Sequence, residues 1–296
     1  MGAAARPAAP PVIPPAAPRG RDRSVLITGC SSGIGRDAAR SLRARGWQVF
    51  AACRKEADCE ALRAEGFASP RLDYADPASI RAALDQVLAV TGGRLDALFN
   101  NGAFATPGAV EDLPTDALRD IFEANFFGWH DLTRAVLPVM RAQGHGRVVQ
   151  CSSVLGFAPM PWRGAYVASK YALEGLTHVL RLEMRDTPVR IILIEPGPIT
   201  TDFRKNAARN FERWIDWQAS PRADQYERQL RPRLYASAAG GDPGELPPAA
   251  VTRRLIHALE SPRPRPRYFV TAPTWAMAIA GRLLPTRVQD AILARL

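Results

Sequence analysis

Thr28-Gly29-Cys30-Ser31-Ser32-Gly33-Ile34-Gly35 is the stretch on which the reading of this 296-residue chain turns. It stands between a short apolar run, Ser24–Thr28 (SVLIT), and a segment of helical character over 37–45. Glycines at such a strand-to-helix junction let the backbone turn tightly and approach a pyrophosphate. The charge of that group meets the free amides and the dipole of the helix N-terminus. An isolated glycine-rich turn is equally an ordinary tight loop, so the order of elements around it carries the argument.

Outward from the loop, a second buried strand is expected over 47–52 (WQVFAA) and a third over 67–72. Asp76-Pro77 opens a helix that runs to residue 89, and LDALFN over 95–100 reads as strand four. Helical segments lie around 115–139, separated by Pro138 and Gly144 from strand five over 146–152. A long helix from about 166 to 185 precedes strand six, VRIILIE over 189–195. A helix near 249–260 and a last strand near 268–271 complete the core. Strands alternating with helices imply βαβ units, and nearly continuous apolar strands suit a sheet covered on both sides. The fold class expected is therefore α/β: a single doubly wound Rossmann-type domain over 24–274, with a parallel sheet of about seven strands and helices on both faces.

Three segments depart from that rhythm. Residues 1–23 are Pro/Ala-rich without the unbroken apolar stretch of a secretory signal, and are expected to be a disordered tail. Residues 203–248 are polar, Arg-rich and aromatic, and read as a lid over a substrate. Residues 275–296 form an amphipathic segment interrupted by Arg282 and Pro285. Two readings of it are open: peripheral contact with a membrane, or docking onto the lid or a partner subunit.

The net charge of +10 with a pI near 10.1 raises the question of nucleic acid. The arginines are spread along the chain, no run of five basic residues occurs, and no stacking-aromatic or zinc signature is present, so nucleic acid is not expected as a partner. Cys30, Cys53, Cys59 and Cys151, like His130, His145, His178 and His257, fit no metal spacing. No metal is expected, and reduced thiols point to a cytoplasmic protein. With 47% apolar residues but no run of 18, the chain can build a large core and is not read as spanning a membrane.

Tyr166-Val167-Ala168-Ser169-Lys170 sets a phenol and an ammonium four residues apart, on one face of a helix. A phenol ordinarily ionises near pH ~10, and a neighbouring cation favours the phenolate and makes it usable in proton transfer. At the end of the second strand, where an acidic residue would accept from a ribose 2′-hydroxyl, stand Cys53 and then Arg54. A guanidinium there suits a 2′-phosphate, with Ser32 as a hydroxyl donor, and argues for NADP(H); a plain surface arginine is the competing reading.

The TGxxxGxG spacing resembles that of the short-chain dehydrogenase/reductase (SDR) family, and the resemblance runs over about 24–201 in five ordered motifs. Ser153 lies thirteen residues before Tyr166, matching the family's serine, and Asn125 matches its helix asparagine. Asn100-Asn101-Gly102-Ala103 is similar to the family's NNAG segment with its last two residues exchanged. Pro196-Gly197-Pro198-Ile199-Thr200-Thr201 resembles its PGxxxT segment. The resemblance implies Asn125, Ser153, Tyr166 and Lys170 as catalytic residues, with Asn125 holding a water that extends a proton relay. It implies cofactor contacts at Gly29, Ser31, Ser32, Gly33, Ile34, Gly35, Arg54, Asn100, Gly102, Tyr166, Lys170, Pro196, Gly197, Ile199 and Thr201. Asp73 matches an adenine contact, although a turn or capping role fits it as well. The branch most similar holds hydroxysteroid and retinol dehydrogenases, which implies a small hydrophobic carbonyl or alcohol substrate such as an aldehyde, ketone, retinoid or steroid-like molecule. Phe157, Met160, Trp162, Phe203, Trp214 and Trp217 are candidate walls of its pocket. A homodimer or homotetramer is implied by the resemblance alone. The alternatives are an NADP(H) sensor of the same fold without turnover and a sugar-nucleotide epimerase.

Overall fold

Five successive buried residues make β1 (Ser24–Thr28), a strand that can lie only in the middle of a covered sheet. The computed structural model describes residues 23–236 and 244–294. The expected tail, apart from Arg23, and the segment around Gly241 in the expected lid lie outside the described residues. In chain order follow α1 (Gly33–Ala44), β2 (Gln48–Ala52), α2 (Glu56–Ala64), α3 (Pro77–Thr91) and β3 (Ala97–Asn100). Then come α4 (Thr115–Phe122), α5 (Gly128–Ala142), β4 (Gly146–Cys151), α6 (Gly164–Glu183) and β5 (Val189–Glu195). The chain continues with α7 (Phe203–Trp214), α8 (Ala223–Gln225), α9 (Arg231–Leu234), α10 (Ala249–Glu260), β6 (Arg267–Phe269), α11 (Ala272–Leu283) and α12 (Thr286–Leu293).

Among the described residues the sheet has six parallel strands in the order β2-β1-β3-β4-β5-β6. Right-handed crossovers that run outward from β1 in both directions put helices on opposite faces. Accordingly α1 packs with α10, and α3 with α5. The order reverses between β1 and β3, so a crevice opens at their carboxyl ends, where ligands of such folds bind.

Six strands, not about seven, is a correction, and its cause is local. The expected third strand over 67–72 meets β2 only through isolated bridges at Phe50–Ala68 and Cys53–Arg71. Pro70 has no amide to continue the ladder, and the Ser69 hydroxyl donates to the Ala51 carbonyl at 2.6 Å instead. Other boundaries move as well. The first helix starts at Gly33 rather than near 37, and α2 was not foreseen. Pro138 lies inside α5, which runs on to Ala142. The last strand is Arg267–Phe269, and Thr271 caps α11 by accepting from the Thr274 amide.

The main core gathers Leu26, Phe50, Phe99 and Trp129 around the sheet. A second apolar cluster joins Tyr166 to Phe211, Tyr226 and Leu230 of the segment after β5. Among the described residues no helix is long and apolar enough to cross a membrane.

Candidate active site

Most of the candidate residues lie at or after the carboxyl ends of the parallel strands β1, β2, β3, β4 and β5 in sequence, while Asp73 follows the bridged segment beside β2. The glycine loop leaves β1. Gly29 has a positive φ of 67°, and a Cβ there would sit 2.5 Å from Gly102 Cα. A Cβ on Gly35 would meet the Gly29 carbonyl oxygen at 2.3 Å. The loop and the Asn100–Gly102 segment thus touch backbone to backbone. Asn101 closes the contact, its Nδ2 donating to the carbonyls of Thr28 at 3.0 Å and Gly29 at 3.3 Å. Its sequence position drew no expectation, and the adjoining Asn100 did. The Asn100 carboxamide is turned into the sheet, where it accepts from the Tyr74 hydroxyl at 2.6 Å and donates to Thr133 and Gln150.

These residues fit a dinucleotide. Ser32 is the N-cap of α1, yet its side chain does not cap the helix, and the first turn holds no acidic residue. The helix N-terminus is therefore left for an anion. Arg54 is exposed just past β2, and Ser31 is exposed in the loop. Thr201 leans on Gly33, where a Cβ would meet its Cγ2 at 2.7 Å. A cleft of about 410 Å³ opens beside this pair, with Arg36, Arg40 and Lys205 among its lining residues. Asp73 Oδ1 accepts from the Ala75 amide at 3.1 Å, the turn role that its sequence position allowed. Pro196 follows β5 and its carbonyl accepts from the Val154 amide at 2.8 Å, which ties this segment to the turn holding Ser153.

The helical run from α4 to α5 is interrupted by a wide turn, Glu123–Phe127, with Asn125 fully buried in it. Such π-type turns leave backbone groups unpaired and aim side chains differently from a regular helix. Asn125 Nδ2 donates to the Phe104 carbonyl at 2.8 Å and to Ser169 Oγ at 3.3 Å, while its Oδ1 accepts from the Phe104 amide at 3.1 Å. Ser169 in turn donates to the Tyr166 carbonyl at 2.8 Å. On α6, Tyr166 and Lys170 share the buried face: Lys170 Nζ is 5.5 Å from the phenol ring centroid and donates to the Cys151 carbonyl at 2.8 Å. Ser153 is the N-cap of the turn after β4, its Oγ accepting from the Leu155 amide.

Burial pushes the Tyr166 phenol up, the Cys151 thiol adds to this, and the Ser153 hydroxyl acts the other way. Burial brings the Lys170 ammonium down to about 8, against the upward pull of Cys151 and Glu174. An acid that holds its proton beside a cation ready to give its proton up is a pair that small changes of environment can tip. The arrangement can exchange a proton with an oxygen brought against Tyr166 and Ser153.

Of the candidate pocket walls, Phe203 packs edge-on against Tyr166 at 5.4 Å between ring centroids, and Trp162, Trp214 and Trp217 join the same cluster. Phe157 turns away and packs on Phe269, 5.7 Å between centroids, so it is not part of that wall. Trp162 holds a positive φ of 66°, uncommon for a bulky residue, with its ring 4.8 Å from that of Tyr226. Tyr226, an aromatic residue of the expected lid and fully buried, accepts from the Ala109 amide and donates to Asp112.

Residues 23–211 match the family model described as short chain dehydrogenase. The chain is similar to a protein of Escherichia coli K12 named uncharacterized oxidoreductase YbbO, with 41% identity over 272 residues, 92% of this chain and 94% of that protein. It is similar to human 17-beta-hydroxysteroid dehydrogenase type 6, with 34% identity over 288 residues, 93% of this chain and 89% of that protein. A solved structure of a short chain dehydrogenase/reductase from Burkholderia phymatum in complex with NAD superimposes with a TM-score of 0.73, at 25% identity, over 92% of this chain and 95% of that one.

Proposed function

The chain belongs to the short-chain dehydrogenase/reductase family and is an oxidoreductase, and from that premise we propose that it interconverts a carbonyl and an alcohol on a hydrophobic aldehyde, ketone, retinoid or steroid-like molecule, using NADP(H). The observation that carries this reading is Lys170 buried 5.5 Å from the Tyr166 ring centroid and fixed by the Cys151 carbonyl at 2.8 Å. Burying an ammonium costs free energy, so a buried lysine beside a phenol marks a candidate for chemistry rather than for stability.

A dinucleotide held at this edge would supply or take up the hydride. The loop from Gly29 to Gly35 would hold its pyrophosphate, Arg54 and Ser32 would take the 2′-phosphate, and Asp73 and Gly102 would line the adenosine side, with Asn100 supporting that edge while its carboxamide is engaged by Tyr74, Thr133 and Gln150. Pro196, Gly197, Ile199 and Thr201 line the nicotinamide. Ser153 and Tyr166 hold the substrate oxygen. Tyr166 gives that oxygen a proton in reduction and removes it in oxidation. Lys170 binds the nicotinamide ribose and favours the phenolate. Asn125, fixed by both polar groups of Phe104, anchors the far end of the proton path.

Phe203 on Tyr166, with Trp162 and Trp214 beside it, supports an apolar substrate. So does the hydroxysteroid named for the human relative. Tyr171, Val179 and Leu182 on α6 and Phe127 before α5 leave apolar area exposed, which suits a homo-oligomer. Trp275, Ile279 and Leu283 make a similar exposed stripe on α11, a candidate for contact with lipid or another surface. Four free, buried cysteines suit a cytoplasmic setting.

The test follows NADPH absorbance with a panel of hydrophobic aldehydes and ketones, for the unaltered protein and for Tyr166→Phe. The variant should lose on the order of 10²–10⁴ in turnover while still binding the dinucleotide. Near-normal turnover in the variant would exclude the scheme.

A further inference from the structure

Lys170 is 1% exposed, and no carboxylate bonds its ammonium among the described residues. An ammonium in such a place keeps its charge only if something replaces its water. One replacement is the Cys151 carbonyl. The other is Trp129, whose ring centroid lies 4.3 Å from Lys170 Nζ. Trp129 is fully buried, and it is pinned at its other end as well: Nε1 donates to the Gly102 carbonyl at 2.9 Å. Its ring also rests 5.9 Å from that of Tyr74. The preceding Gly128 makes this approach possible, since a Cβ there would sit 2.3 Å from the Tyr74 carbonyl oxygen.

The geometry points to Trp129 as a positioning residue that holds the Lys170 ammonium charged against its indole face and ties it, through Gly102, to the dinucleotide cleft. The inference rests on the reading of Lys170 as the working cation. An indole face is the strongest aromatic partner for a cation, and its attraction grows when water is excluded. The groups that act on Lys170 from elsewhere are Cys151 on β4, neutral because burial raises its thiol to about 11, and Tyr166 and Glu174 on α6. Glu174 is itself engaged by Arg267 of β6, which also bonds Glu195 of β5. Burial lowers Lys170 to about 8 in spite of these groups. The α5 helix faces it with the neutral indole.

The chain has three lysines, Lys55, Lys170 and Lys205, and the other two are exposed. Protein isotopically labelled at lysine Cε therefore gives three signals, and their NMR titration reads Lys170 directly, with no substrate present. Its midpoint is expected near 8 in the unaltered protein. Trp129→Leu removes the π face and should lower that midpoint by about one pH unit, roughly tenfold in proton affinity. Trp129→Phe keeps a weaker face and should shift it less in the same direction, and it carries the test should the leucine variant not fold. The pH at which carbonyl reduction falls off should follow the same order. A Lys170 midpoint that stays put in a folded variant overturns the inference, and so does a moved midpoint with an unmoved pH profile. Retained turnover in Tyr166→Phe would instead overturn the reading of the centre, leaving the titration of Lys170 as it stands.

Discussion

Asn125 and Phe104 bond each other twice, side chain to backbone: the carboxamide donates to the carbonyl at 2.8 Å and accepts from the amide at 3.1 Å. The pair joins the wide turn between α4 and α5 to the strand-end segment that carries Gly102. Asn125→Ala would leave both backbone groups of Phe104 without partners. We expect a loss of about 2 kcal/mol in stability, read from the denaturant midpoint, together with a large drop in turnover. A variant as stable as the parent would show that the pair is dispensable.

Glycine substitutions should separate close approach from conformational strain. At Gly29 a Cβ would collide with Gly102 Cα at 2.5 Å, whereas Gly46, also at positive φ, has nothing within 4 Å. Gly46→Ala should cost only about 1 kcal/mol and leave dinucleotide affinity alone. Gly29→Ala should weaken that affinity by at least about tenfold, because the two loops must part. Equal binding by the two variants would refute the account.

The pH dependence follows from Lys170. A buried amine lowered to about 8 is charged below that pH and neutral above it. In the proposed scheme carbonyl reduction would use the charged amine and the protonated phenol, so its rate should fall as pH rises through about 8. A plateau reaching to pH ~10, where an ordinary lysine titrates, would contradict this.

Cofactor preference should follow Arg54, which stands exposed where an acidic residue would select the unphosphorylated ribose. Arg54→Asp should shift the ratio of kcat/KM from NADP(H) toward NAD(H) by at least about tenfold. An unchanged ratio would remove Arg54 from the site.

Glu260 offers a test far from the chemistry. It is bonded by Arg45, by Trp47 Nε1 at 3.0 Å and by Arg23 at 3.5 Å, and the Arg45 guanidinium chiefly holds its carboxyl down at about 2. A lowered carboxyl contributes stability above its ordinary range near ~4.3 and loses it as pH falls toward 2. The stability gap between the parent and Glu260→Gln should therefore be widest near neutrality and close in acid. A gap independent of pH would mean that the charge on Glu260 plays no part.

Much of this protein is legible in the sequence alone. Continuous apolar runs such as SVLIT and VRIILIE declare strands covered on both faces, and the glycine spacing declares the turn after the first. Tyr166 and Lys170 share a helix face by arithmetic alone. Local chemistry that competes with the pattern was harder to read. Pro70 and Ser69 demote an expected strand to two bridges, and Pro138 sits within a helix that it was expected to end. Phe157 looked like a pocket wall and packs on Phe269 instead, because the direction of a loop side chain is not periodic.

By itself the sequence determined the α/β order, the glycine junction and the Tyr166–Lys170 spacing, all of which depend on residues close together in the chain. Only the tertiary structure decided which groups meet across it: Asn101 on the glycine loop, Asn125 on Phe104, and Trp129 under Lys170. Those contacts span strands and helices far apart in sequence. They exist because the parallel sheet brings its carboxyl ends to one edge, and no local periodicity encodes which side chains face one another there.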